Sequence, residues 1–135
     1  MTGIESLAYL AVRLLTCTSW ISSGLEAAMR FEHTAAVMAR KGIPRSRQVL
    51  PLVLIMELGG AALVLADLYA WAVSLVWIAF LLLATYYYHR RWFTPQREFD
   101  QFQYVQFWKN VSMMGGLVAL ILLDASRPDW LLRGG

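Results

Sequence analysis

The stretch LYAWAVSLVWIAFLLLATYYY, residues 68–88, carries no charged side chain along its whole length. A helix of about 20 apolar residues crosses the ~30 Å hydrocarbon layer of a bilayer, so this run predicts a transmembrane helix. Working outward, residues 49–66 form a second apolar run interrupted by Glu57, with Pro51 in its first turn, where a missing N–H costs little. Asp67, Leu68 and Tyr69 leave room between the two runs for a tight turn. Residues 6–25, around Arg13, read as a first span, and residues 105–123 as a fourth, with Lys109 and Asn110 in its opening turns. The predicted architecture is an all-α, four-transmembrane-helix bundle that fills residues 1–135 as a single domain.

Composition points the same way. Apolar residues make up 59% of the chain and charged residues 16%, against about 25% charged in soluble domains, and the mean hydropathy is +0.49. A soluble helical bundle would keep a polar face at a 3.6-residue period, whereas these runs are apolar all round. The net charge of +3 is concentrated between the runs. It leaves no basic, aromatic-interleaved soluble face for nucleic acid. Cys17 is the single cysteine, which excludes an intramolecular disulfide and a CxxC redox pair. The N-terminus lacks a basic leader and the first run contains Arg13, so that run is expected to be a retained helix and not a cleaved signal peptide.

Residues 31–41 (FEHTAAVMARK) read as a short amphipathic helix at the membrane interface, stopped by Gly42, Ile43 and Pro44. Pro95 and the mixed run 96–103 mark the other long connection. Arg30, Arg40, Lys41, Arg45 and Arg47 lie in the first connection, and Arg90, Arg91 and Arg97 in the third, whereas the opposite side has Arg127 and Arg133. The positive-inside rule then puts both long connections in the cytoplasm and both termini outward, and the membrane is expected to be a bacterial cytoplasmic (inner) membrane. Tyr86, Tyr87, Tyr88 and Trp92 at one boundary and Trp130 at the other fit an interfacial aromatic belt.

Glu57 falls near the middle of its span, where a lone carboxylate costs a few kcal/mol by insertion scales and needs a partner or a proton. Depth arithmetic places Arg13 close to it, which predicts an Arg13–Glu57 ion pair. Lys109 lies roughly 8 Å deeper toward the cytoplasm, within reach of the carboxylate or able to snorkel to the interface. Arg13, Glu57, Lys109 and Asn110 therefore read as one intramembrane charge centre. Thr16, Cys17, Gly24, Gly60, Ala61, Ser112 and Gly116 are expected to turn inward, where small residues let helices approach. Such a centre serves either as a structural clamp or as a working site for a small ligand, a quinone or protons. His33 and His89 lack a second ligand in helical register, so no metal or haem site is expected. His89 beside Tyr86 and Trp92 offers the hydrogen-bonding ring and flat apolar walls that a quinone head group needs, although the same aromatics also suit the boundary belt.

Together, Arg13, Ser23-Gly24-Leu25, Gly42-Ile43-Pro44, Glu57-Leu58-Gly59-Gly60, His89-Arg90-Arg91-Trp92 and Lys109-Asn110 with Gly115-Gly116 resemble the DoxX family of small four-helix membrane proteins over nearly the whole chain. The family often has a lysine shortly after the Ser-Gly-Leu element, where this chain has Glu26, Ala27 and Ala28. The resemblance implies a membrane subunit or accessory factor tied to oxidoreductase chemistry, quinone-linked in some members and linked to detoxification of reactive oxygen in others. It also implies contact with the lipid bilayer and with protein partners, in a membrane complex or a homo-oligomer. No complete catalytic set is present, so the chain is expected to be a non-catalytic subunit on its own. The other classes left open are a proton-coupled or small-solute transporter titrating at Glu57 and a structural scaffold that docks partners.

Overall fold

Thr2 opens the first helix with a reciprocal cap. Its hydroxyl accepts from the Glu5 N–H, and the Glu5 carboxylate accepts from the Thr2 N–H. In the computed structural model, which describes residues 2–129, this helix, α1, runs over Gly3–Met29. A break at Arg30 separates it from α2, Phe31–Arg40. Gly42, at φ +89°, turns the chain as only glycine does without strain. Next come α3, Ser46–Leu65, and α4, Ala70–His89. The turn between them holds Asp67 and Tyr69 at φ 61° and 51°. A hairpin-like connection comes after α4, with the single bridge Phe93–Phe99, and Asp100 then caps α5, Gln101–Ala125. No strand forms among the described residues. Trp130 of the expected belt and Arg133 of the charge count lie outside them.

Among the described residues three helices, α3, α4 and α5, are long and apolar enough to cross a membrane. The expected fourth span, α1, is the longest helix at 27 residues. It is diluted by Arg13 and by Thr16, Thr18, Ser19, Ser22 and Ser23, so apolarity does not place it with the other three. Leu15, Ile55, Leu75, Val76, Leu82, Leu83 and Leu122 point outward from the bundle, as lipid-facing side chains do.

Two cores hold the helices. The larger joins Tyr9, Cys17 and Trp20 of α1 to Ala61 and Val64 of α3, Val73, Trp77 and Leu81 of α4, and Leu117 and Leu120 of α5. Trp20 stacks on Trp77 at 4.4 Å and 8°, and the Trp77 indole donates to the Met56 carbonyl at 3.2 Å, which satisfies its polar edge inside the core. A Cβ on Gly60 would come to 3.0 Å from that indole nitrogen and from Val73 Cγ1, so glycine is what lets α3 and α4 close here. The smaller core joins Ala35 and Met38 of α2 to Leu50 of α3, with Ile43, Val53 and Tyr88 around them. α2 therefore packs over the end of the bundle that carries the long connections. Not every small residue sits at a contact. Ser112 is exposed, and a Cβ on Gly116 would meet nothing within 4 Å, which corrects the expectation that both turn inward.

The α-helical spacing is interrupted twice. Residues Ile55–Gly59 of α3 and Thr85–His89 of α4 each form one π-helical turn. Such turns are frequent at functional sites, because they re-aim side chains without ending the helix.

Candidate functional site

Both π turns border one cavity of about 480 Å³ in the connection half of the bundle. Its deep end is formed by Trp20 of α1, Glu57 of α3, Phe80 of α4 and Met113 of α5, and its other end by Ile43, Tyr88 and His89. The walls are mostly apolar, with a few polar groups converging on them. Sites that take small flat or amphiphilic molecules have this character and this size.

Glu57 comes from the centre of the first π turn and is 4% exposed. Ser23 Oγ donates to its Oε1 at 3.2 Å. Its Oε2 is enclosed and has no hydrogen-bond partner among the described residues. The facing helix comes this close because residue 24 is glycine. A Cβ there would stand 2.7 Å from Leu58 Cδ2 and 3.3 Å from Glu57 Oε2.

His89 ends the second π turn. Its Nδ1 lies 2.7 Å from Gln103 Oε1, at the start of α5. With the amide oxygen as acceptor, Nδ1 carries the proton and Nε2 is left as an acceptor. Asn110 is buried and donates from Nδ2 to Thr85 Oγ1 at 3.0 Å. Lys109 lines the cavity yet is an exposed residue, and it makes no ion pair among the described residues.

The expected charge centre is therefore split. Glu57, Lys109 and Asn110 share the cavity, but Arg13 does not reach it. Ser23 and Gly24, not Arg13, face Glu57, and ten residues of α-helix carry Arg13 about 15 Å away along α1. There its Nη1 donates to the Leu65 carbonyl at 3.2 Å and faces Asp67 at 3.8 Å. The last carbonyls and the negative dipole end of α3, equivalent to roughly half a unit of negative charge, attract the cation there. The predicted Arg13–Glu57 pair is replaced by Arg13 on the end of α3.

At that terminal end sequence reasoning missed Asp124 and counted Arg127 only as a boundary charge. Arg127 grips both oxygens of Asp67, at 2.7 and 2.8 Å. Asp124 accepts from the Tyr9 hydroxyl and from the Trp71 backbone N–H, each at 3.1 Å. The Tyr9 ring lies between the Arg13 and Arg127 guanidiniums, 4.9 and 4.8 Å from its centroid. Burial opposes the charge on Arg127, but pairing with Asp67 outweighs it and raises the pKa above the ordinary arginine value. The signal that could have found this cluster is the Asp124–Arg127 spacing, one helical turn apart at the close of an apolar run.

The aromatic partners expected for His89 also change. Tyr86 is exposed beneath the Arg90 guanidinium, 4.2 Å from the ring centroid, and Trp92 packs edge-on against Tyr104 and Phe107. Neither lines the cavity, whereas Tyr87 and Tyr88 do. The i→i+5 spacing of the π turn changes which residues share a face with His89. His33 lies exposed on α2. Among the described residues no group of three or more His, Cys, Asp or Glu side chains is arranged to hold a metal ion.

The DoxX family model matches residues 8–90, which include α1, α2, α3 and α4 through His89 except for the first residues of α1. No curated protein and no solved structure matches the chain.

Proposed function

Because the chain belongs to the DoxX family, we propose that it is an integral membrane subunit or accessory factor of a quinone-linked oxidoreductase system, holding a quinone head group in the cavity beside His89. The observation that carries this reading is the cavity itself: about 480 Å³, mostly apolar, bordered by Tyr87 and Tyr88, with the His89 imidazole fixed by Gln103. These residues fit such a group, since a head group needs hydrogen-bonding atoms set in a flat apolar slot. A bound quinone supplies two-electron carrier chemistry. The chain's own part is to hold and orient: Gln103 fixes the imidazole plane, and Asn110, tied to Thr85, keeps the facing wall of α5 in place. In this reading the oxidoreductase chemistry itself falls to a protein partner.

In this reading α1 is a fourth span, its arginine offset by the end of α3, and both long connections face the cytoplasm of a bacterial inner membrane. The fourth-span reading is supported by the length of α1 and by the placement of Arg13 against backbone carbonyls, which lowers the cost of its charge in lipid.

Native mass spectrometry of gently extracted protein tests the assignment. The wild-type chain should carry a bound quinone that His89→Ala loses while the protein stays folded. A quinone retained equally by both forms, or found in neither, would overturn the His89 site.

A further inference from the structure

The quinone reading leaves Glu57 unused. Two cationic side chains sit on helices that frame this carboxyl group, and neither pairs with it. Arg13 is committed to the far end of α3. Lys109 lines the same cavity, on a flexible and exposed stem, without an ion pair among the described residues. Glu57 is 4% exposed and holds one hydrogen bond, from Ser23, while its second oxygen has none among the described residues. The deep end of the cavity thus carries an acidic group that the protein does not compensate.

Aromatic rings line the same cavity. Trp20 and Phe80 line the deep end, tilted against each other with centroids 5.8 Å apart. Aromatic faces are electron-rich and attract cations, most strongly where water is excluded. The chemistry does not suit an inorganic ion. A hard metal cation wants six or more oxygen ligands, and the acid has beside it one serine hydroxyl in an apolar wall. An organic cation, whose charge is spread over alkyl or aryl groups, is satisfied by one acid and aromatic faces. Ser19, Ser23 and Leu83 each line the cavity and are exposed residues, so this end of the cavity is accessible to a molecule that partitions into the bilayer.

We propose that the deep end of the cavity, formed by Glu57, Ser23, Trp20 and Phe80, is a binding site for a lipophilic organic cation of the quaternary-ammonium or aryl-amine class. The site is separate from the His89 end. Nine residue steps along α4 separate Phe80 from His89, about 13 Å along the helix axis. It therefore does not rest on the quinone assignment.

The probe is benzyltrimethylammonium, whose charge is permanent, measured by equilibrium binding to the full chain in mild detergent. Its uncharged carbon isostere, neopentylbenzene, serves as competitor at matched free concentration. The wild-type chain should bind the cation, and Glu57→Gln should weaken binding by roughly tenfold or more. Lys109→Gln should tighten it or leave it unchanged, because a like charge at the wall is removed. His89→Ala should leave cation binding intact while it loses quinone, which separates the two sites. Equal binding by wild type and Glu57→Gln would overturn the proposal. So would displacement of the cation by the neutral isostere at equal free concentration, a comparison made on the wild-type chain and independent of how any variant folds.

Discussion

The two ends of the bundle treat charge in opposite ways. At the terminal end two carboxylates, Asp67 and Asp124, meet two guanidiniums, Arg13 and Arg127, with the Tyr9 ring between the cations. In the connection half Glu57 has a single hydroxyl donor, Lys109 has no ion-pair partner among the described residues, and a cavity separates the helices. A polar group in lipid is costly wherever it sits. Where the cost is offset by neighbours the group clamps helices together, and where it is left open the group is available to something else. A bundle fastened at one end can leave its other end open without coming apart.

The largest effect should come from breaking the fastened end. Arg127→Met would leave the buried Asp124 and the half-buried Asp67 with their main counter-charge gone, a change that costs about 3–5 kcal/mol when one partner of a buried pair is removed. Thermal unfolding in detergent, followed by loss of the monodisperse gel-filtration peak, should show a clearly lowered midpoint. The matching change in the other half, Lys109→Gln, should stay within roughly 0.5 kcal/mol, as surface substitutions usually do. Equal sensitivity of the two variants would erase the contrast between clamp and open site.

A smaller effect tests how the two halves join. Gly24 is the point at which α1 closes on α3 just below the cavity, and a methyl group there would overlap the Leu58 side chain at 2.7 Å. Gly24→Ala should destabilise by about 1–3 kcal/mol, the usual penalty for overpacking, and should weaken any ligand held by Glu57, because α1 carries Ser23 away with it. A chain that tolerates Gly24→Ala with an unchanged midpoint would show that the close approach is not needed.

The elements of the fold were largely legible because 20 apolar residues without a polar face have few other readings. The helix over residues 31–41, the tight turn at Asp67 and the long runs of α3, α4 and α5 all correspond to elements of the structure. The register between helices was not legible. Depth arithmetic set Arg13 opposite Glu57, whereas the register is fixed by the glycine contact at Gly24. Backbone carbonyls at a helix end, which no residue type announces, took the place of the expected carboxylate. The π turn over Thr85–His89 was equally silent, and it turns Tyr86 away from the face that Tyr88 and His89 present to the cavity, while Trp92 lies beyond the helix in the connection. Small residues gave a mixed signal: Gly24 and Gly60 do mark close contacts, but Gly116 does not.

Gly116 supplies the finest test of the same contrast. It lies in the middle of α5, with Gly115 beside it, and none of the described residues stands within 4 Å of where a Cβ would be on either residue. A helix-interior glycine costs roughly 0.5–1 kcal/mol relative to alanine, so in a chain that stands alone in the membrane Gly116→Ala should raise the unfolding midpoint slightly. A lowered midpoint would carry a different meaning from any failure at Gly24, because the neighbour that objects could not be one of the described residues of the bundle. It would place another helix against this face of α5, in the close contact that small residues permit in lipid. The helix that supplies Lys109 and Asn110 to the cavity would then be held from both sides, and the open half of the bundle would owe its shape to a partner as well as to its own packing.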